Sequence, residues 1–404
     1  MCMLFWKFVF WLSCLLVFYN YAGYAIIIFL WNKIRKRNAY AAPDDYFPTV
    51  SFIVAAYNEE DCIEKKIVNS FDQRYPKDKI EFIFITDGST DSTPQIIQRY
   101  GPVKLLHSGT RNGKTAALNR AVQKAQGEIL IFSDANTILN KDACLQIAKH
   151  YYDNSVGGVA GEKKVLATND VKDATNSEGF YWKYESFLKR LDSEFHTVVG
   201  AAGELFSVRK NLYEPVPQKV ILDDFIISMK IAEQGFRIIY EPRAFAMELP
   251  SVSIHDEKQR KVRISAGGFQ SIAMLPDALF FWKHFKLSFL YISHRVLRWT
   301  LSPLCLALAL MSCFILVVFG GSVFYQICLT AQILFYGSAL FYWIFPSLSK
   351  NFSFIKLSYY FTFMNLSVFQ GFSKFIQNKQ SAAWDKAKRG TNYTIPETEN
   401  PKVS

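Results

Sequence analysis

Apolar residues follow two patterns along this chain. Near both ends they run on for the length of a bilayer-spanning helix, and between about residues 48 and 275 they come in short bursts separated by amphipathic stretches. Residues 3–31 form the first long run, broken only by Lys7, Asn20 and small residues, and it exceeds the roughly 20 residues that a spanning helix needs. Residues 301–319 and 323–345 form two more, joined by a short glycine turn, and predict a helical hairpin through a bilayer. A fourth stretch, 357–376, is interrupted by Asn365, Gln370 and Lys374 and either spans or lies at the interface. The first run is too long for a signal-peptide core of about 7–15 residues and ends in Lys33, Arg35, Lys36 and Arg37, so an uncleaved anchor is expected.

The middle of the chain reads as alternating strands and helices. TVSFIVAAY, IEFIFITD, KLLHSG and EILIFSD are strand-like. EEDCIEKKIVNSFDQ carries a helical apolar stripe at Cys62, Ile63, Ile67, Val68 and Phe71, and DSTPQIIQRY and TAALNRAVQKA supply two further helices. That alternation predicts an α/β domain on a mostly parallel sheet. Ligands of such sheets sit at the carboxyl ends of the strands. Three of these strands end in AAYNE, TDGS and SDAN, which brings Glu59, Asp87 and Asp134 toward one rim. A turn or a helix cap accounts for any one of these acids, but less well for all three together.

Charge and composition narrow the function classes. Half of the 404 residues are hydrophobic, 36 are Phe, and the net charge is +11. The basic residues gather beside the apolar runs, at 33–37, 258–263, 283–298 and 374–389, which is the positive-inside pattern and argues against nucleic acid as the partner. It predicts that residues 40–290 face the cytoplasm against an anionic leaflet. Four full spans would put the basic tail outside, whereas its charge favours the inside, and the two expectations part at the fourth stretch. The seven cysteines form no disulfide frame or zinc knuckle, and the six histidines show no paired ligand spacing.

Two segments stand out chemically. RNGKTAAL contains Gly-Lys-Thr without the upstream glycine of a phosphate-binding loop, which leaves Lys114 as a candidate phosphate contact and disfavours an ATPase. ILDDF places Asp223 and Asp224 side by side in an apolar frame, where an unpartnered ion costs several kcal/mol. Neighbouring side chains point different ways, so one acid is expected to face a ligand and the other to cap the helix that follows.

In order along the chain, VAAYNEE, ITDGSTDST, GKTAALN, FSDAN, GELFSVR, ILDDF and RKVRI resemble the motifs of the inverting family 2 glycosyltransferases, whose members include cellulose, chitin, hyaluronan and poly-N-acetylglucosamine synthases. The resemblance runs from about Ser51 to Gly268. It implies a Rossmann-like GT-A nucleotide-diphospho-sugar transferase domain with flanking transmembrane helices. Carried over residue by residue, it assigns Ala55, Tyr57, Glu59 and Asp87 to the nucleotide pocket, with Lys114 and Asp134 also on the donor. Asp134 matches the first acid of the DxD motif that holds Mg²⁺ or Mn²⁺, whereas Asn136 replaces the second acid, so an amide oxygen would ligate without bringing charge. Gly203, Glu204 and Leu205 resemble the start of a loop that receives the acceptor sugar. Asp224 matches the catalytic base, and Asp223 stands where the family has Glu. Arg260 and Arg263 fall where synthases carry QxxRW, facing the diphosphate, but Arg260 replaces the glutamine and Ile264 the tryptophan.

The expected organisation is an anchor and basic flank at 1–47, a cytoplasmic transferase domain at 48–278, an interfacial amphipathic segment at 279–299, a C-terminal transmembrane region at 300–377 and a basic tail at 378–404. The resemblance implies a UDP-sugar donor, a glycan or lipid-linked acceptor, the bilayer of the inner or plasma membrane, and polysaccharide-export partners. Building a cell-surface or exported polysaccharide is the first expectation. Transfer of one sugar to a polyprenyl phosphate or other membrane lipid is the second, and a membrane scaffold or transport protein that only binds nucleotide is the third.

Overall fold

A computed structural model describes residues 2–35, 42–165, 172–248, 254–349 and 352–378. The basic residues Lys36 and Arg37, and nearly all of the basic tail, lie outside the described residues. The chain divides into an α/β unit, residues 37–172 and 196–256, and a helical unit, residues 1–36, 173–195 and 257–380. The segments 173–195 and 257–278, expected within one domain spanning 48–278, group with the helical unit.

Among its described residues the α/β unit holds eight strands: β1 (Val50–Ala56), β2 (Ile80–Asp87), β3 (Val103–Ser108), β4 (Ile129–Asp134), β5 (Ile138–Leu139), β6 (Val156–Val165), β7 (Leu205–Arg209) and β8 (Arg237–Glu248). They form one sheet in the order β3-β2-β1-β4-β7-β6-β8-β5. β1 is buried along its whole length and β2 nearly so, which is why their sequences are continuous apolar runs without alternation. β1 pairs in parallel with β2 and β4, and β2 with β3, as the pattern predicts. The sheet as a whole is mixed. β7 runs antiparallel to β4 and β6, and β5 antiparallel to β8, while β6 and β8 are parallel. The segment 203–209, expected as a loop, is therefore mostly strand: Leu205 is 2% exposed and belongs to the core. Phe206 on β7 stacks on Phe132 of β4 with ring centroids 4.8 Å apart, a burial that holds the reversed strand in place.

The register decides what meets at the rim. Ala55 on β1 lies opposite Asp134 on β4, and Ala56 opposite Thr86 on β2. Because β2 and β4 flank β1 on opposite sides, the connections diverge there, the usual position for a ligand crevice in such sheets.

In the helical unit, Met3–Ile34, Leu301–Gly320 and Val323–Ile344 are each long and apolar enough to cross a membrane. Ser353–Ile376, the weaker fourth stretch, is a helix of 24 residues but is not among these three. The helix Lys172–Phe195 carries acids that need cations in the same unit, and it finds them: Glu185 is ion-paired to Arg298 and to Arg295 at 3.1 Å. Asp192 accepts hydrogen bonds from Tyr24 Oη at 2.7 Å and contacts His294 Nδ1 at 2.6 Å. Burial alone would raise the Glu185 pKa, but the two arginines hold it well below the ordinary carboxylate range.

Candidate active site

The site is built from the carboxyl ends of β1, β2 and β4 and from the first turns of two helices, all within the α/β unit. A shallow open pocket is lined by Ala55, Ala56, Tyr57, Asp87, Arg111, Gly113, Lys114 and Ala117. The Arg111 guanidinium lies 3.9 Å from the centroid of the Tyr57 ring, giving the pocket a flat cationic and aromatic wall. Glu59, expected in this pocket, is buried beside it. Its carboxylate receives the Cys62 thiol at 3.2 Å, and it does not line the void.

Asp87 organises the loop at the far side of the pocket. Its Oδ2 accepts the backbone N–H groups of Asn112 at 2.7 Å and Gly113 at 2.6 Å, and its Oδ1 accepts Arg120 Nη2 at 3.0 Å. These charge-assisted bonds aim the start of the helix Lys114–Lys124 at the rim. Gly88 makes the approach possible. It has φ of +71°, and a Cβ there would stand 2.7 Å from Arg111 Cβ. The role legible for Asp87 in the fold is thus to shape the pocket.

Lys114, first residue of that helix, donates from Nζ to Asp134 Oδ1 at 2.7 Å. Although burial works against its charge, Asp134, Asp223 and Asp224 keep its ammonium protonated well above its ordinary range. The Oδ1 of Asn136 is buried and has no hydrogen-bond partner. Beneath this loop sits Lys66, fully buried, whose Nζ donates to Ser133 Oγ at 2.7 Å and to the Thr137 carbonyl at 3.0 Å, bracketing the segment that carries Asp134 and Asn136. Burial pushes the Lys66 pKa down to about 7, opposed by the charge of Asp134. Lys66 lies three residues after Ile63 and beside Ile67 on the buried face of its helix, whereas Lys65 is exposed.

Asp223 and Asp224 open the helix Asp223–Glu233 as its first two residues, after Leu222 in the cap position. Neither caps the helix in the manner expected from the sequence, because the cap falls one residue earlier and makes no side-chain bond. Their charges still oppose the positive end of the helix dipole. Asp224 Oδ1 accepts its neighbour Phe225 N–H at 2.8 Å, and Asp223 Oδ2 is buried without a partner. Burial and the adjacent Asp223 raise the Asp224 pKa to about 7, with Lys114 pulling the other way. Gly203 closes the cluster: a Cβ there would stand 3.2 Å from both Asp224 Oδ2 and Lys114 Nζ, a close contact that the two charged side-chain ends would have to yield to. Glu204 turns away to Lys163 at 2.5 Å, a buried lysine also paired with Glu248, while its carbonyl accepts Ser133 Oγ at 3.0 Å.

Arg260 and Arg263 lie in the helical unit on the helix Ile254–Met274. Arg260 is bound to Glu257 at 2.9 Å, and Lys261, within the basic cluster 258–263, is buried 4.8 Å from the Tyr181 ring centroid.

No group of three or more His, Cys, Asp or Glu among the described residues is placed to hold a metal ion. The donors that would suit a hard cation are Asp134 and the orphaned amide oxygen of Asn136.

A pocket at the carboxyl ends of β1, β2 and β4, with Lys114, Asp134 and Asp224 gathered beside it, stands where open α/β sheets receive their ligands. Residues 51–216 match the family model of Glycosyl transferase family 2. The chain is 25% identical over 254 residues to the poly-β-1,6-N-acetyl-D-glucosamine synthase of Staphylococcus aureus (strain MSSA476), covering 60% of this chain and 61% of the relative. It is 26% identical over 244 residues to the enzyme of that name from Staphylococcus epidermidis, covering 59% and 57%. The chain thus spans about three-fifths of the length of these relatives. Its fold is similar to that of the mannosyltransferase PcManGT from Pyrobaculum calidifontis, solved in complex with GDP-Man and Mn²⁺, with a TM-score of 0.69, 24% identity and coverage of 92% of this chain and 100% of that one.

Asp87→Asn tests the loop scaffold. An amide cannot accept from both the backbone pair and Arg120, so the variant is expected to lose about 1–3 kcal/mol of stability. The loss should appear in thermal unfolding in detergent, with faster hydrogen exchange at the Asn112 and Gly113 amides.

Proposed function

We propose that this chain is a membrane-bound inverting hexosyltransferase that extends a cell-surface or exported polysaccharide from a nucleotide-diphosphate sugar, with UDP as the nucleotide. The observation that carries the reading is the convergence of Lys114, Asp134, Asp224 and the bare Gly203 backbone beside the pocket of Tyr57 and Arg111. Names of the similar staphylococcal enzymes support the polymer, since both are poly-β-1,6-N-acetyl-D-glucosamine synthases. Three helices long and apolar enough to cross a bilayer support the membrane assignment.

In this reading the base stacks along Tyr57 and Arg111, and Asp87 holds the loop that borders it. Asp134 and Asn136 would hold Mg²⁺ or Mn²⁺, which supplies positive charge to the departing diphosphate when bound. Lys114 is near enough to Asp134 to share that anionic load. Asp224 takes the acceptor hydroxyl proton as the acceptor oxygen attacks the anomeric carbon from the face opposite the leaving diphosphate, which inverts the configuration. A carboxyl pKa of about 7 suits this task, because the base form is abundant at neutral pH and still basic enough to pull the proton. Asp223 supports it by raising its basicity. Arg260 and Arg263 are assigned to the diphosphate by their motif position, and Gly203, Glu204 and Leu205 to the acceptor side. Of these last three, Gly203 has the direct role and the other two hold the segment.

Incubation of detergent-purified protein with labelled UDP- and GDP-sugars tests the function directly. The expected outcome is UDP release with a UDP-sugar and a product that grows by repeated addition. A product one sugar long on a lipid would replace the polymer reading with lipid glycosylation, and a protein that binds nucleotide without releasing it would be a scaffold.

The pH dependence follows from Asp224. Its carboxylate form increases as pH rises through about 7, so kcat/KM should climb from pH 6 to 8 and then level. Asp224→Asn should abolish that limb and lower the rate by about 10²- to 10⁴-fold, with Asp223→Asn costing less. The opposite order in the two variants would move the base to Asp223.

The α/β unit is assigned to the cytoplasm of a multi-pass protein in the plasma or inner membrane, on the side where the positive-inside rule puts Lys33 and Arg35. A reporter inserted near Ser92 should be active only on the cytoplasmic side, and activity outside would overturn both the orientation and the donor assignment.

A further inference from the structure

The α/β unit supplies its own cation to the acids of its site. Lys114 Nζ and Asp134 Oδ1 are 2.7 Å apart, with 20% and 16% of their side chains exposed. The same Nζ and Asp224 Oδ2 both stand 3.2 Å from where a Gly203 Cβ would be, so the ammonium lies between the Asp134 loop and the start of the helix carrying Asp223 and Asp224. The protein-only donor set for a divalent ion is small: Asp134, whose Oδ1 is engaged by Lys114, and the orphaned Asn136 Oδ1. Where a second acid would raise the affinity of this pair for a cation, the amide adds no charge.

We propose that Lys114 is a built-in counter-ion that excludes a divalent cation from Asp134 until a nucleoside diphosphate binds. The inference rests on the transferase reading above. In the free protein the ammonium and a divalent ion compete for one carboxylate, and the ammonium is tethered 20 residues away in sequence and held at contact distance. A diphosphate changes both sides of that competition. Its oxygens offer the ammonium a second anionic partner and complete a coordination shell that Asp134 and Asn136 leave short. Cation and nucleotide therefore enter as a coupled pair, each favouring the other by the same factor. The missing second acid and the lysine act in the same direction, since both keep the free protein from sequestering a cation alone.

Mn²⁺ binding, followed by the electron paramagnetic resonance of free Mn²⁺ and by calorimetry on the full chain in detergent, tests this with and without UDP or GDP. Wild type should bind Mn²⁺ at least about tenfold more weakly without nucleotide than with it, the factor expected if the competing ion pair is formed about nine times in ten. Lys114→Met should bind Mn²⁺ without nucleotide about tenfold more tightly than wild type and lose most of the coupling, while Lys114→Arg keeps the exclusion. Wild type that binds Mn²⁺ equally well with and without nucleotide overturns the proposal, and this comparison decides even if Lys114→Met does not fold. A folded Lys114→Met, checked by circular dichroism, with unchanged Mn²⁺ affinity overturns it as well and leaves the transferase reading standing. Wild type that binds neither nucleotide in the presence of Mn²⁺ sinks both.

Discussion

Carboxylates crowded into a partly buried space raise one another's pKa until a cation is supplied, and here the cation is the ammonium of Lys114. Its contact with Asp134 ties the end of β4 to the start of the helix Lys114–Lys124, while its charge lets Asp223 and Asp224 open a second helix nearby. Other features of the site serve this arrangement. Asp87 aims the lysine's helix through two backbone amides, Gly203 leaves the acids within reach of the opposing chain, and Lys66 props the Asp134 loop from below. A change at any of these points acts on the acids through geometry without touching them.

The reversal of direction at β7 explains why the site has two halves of different character. On the parallel side, β1, β2 and β4 deliver their carboxyl ends to one rim, as every open parallel sheet does. On the other side β7 leaves that same rim in the opposite direction, so the residues just before it, Gly203 and Glu204, stand at the rim at its amino end. A wholly parallel sheet would have placed that segment at the far edge. The Phe132–Phe206 stack and the burial of Leu205 fix the pairing that brings the two halves together.

Matched sets of buried ions recur in both units. Lys163 sits between Glu204 and Glu248 in the α/β unit, and Glu185 receives Arg295 and Arg298 in the helical unit. Removing one partner of such a set leaves the other charged and unsolvated, which costs more than the pair itself contributes. These sets therefore specify which surfaces meet more than they add to stability, and they explain why the helix Lys172–Phe195 groups with the apolar helices despite its charged sequence.

Much of this was legible in the chain before any coordinates. Continuous apolar runs determined the spanning candidates, because length and hydropathy are local properties. Alternating strand and helix patterns determined β1 to β4 and their parallel pairing, and the polar residues closing those strands marked Asp87 and Asp134. The apolar frame of ILDDF marked Asp223 and Asp224, and the motif resemblance added Gly203. Tertiary structure alone decided the rest. Whether 203–209 is loop or strand depends on a partner, β4, some 70 residues earlier, and no local pattern encodes it. Lys66, Lys163 and Arg111 read as surface cations by composition, and only packing turns two of them into buried struts and stacks the third on Tyr57. The cap position fell to Leu222 because the helix begins where the preceding chain releases it. Hydrophobic periodicity records which face of an element is buried, whereas the partner of a buried charge is set by what the fold brings opposite it.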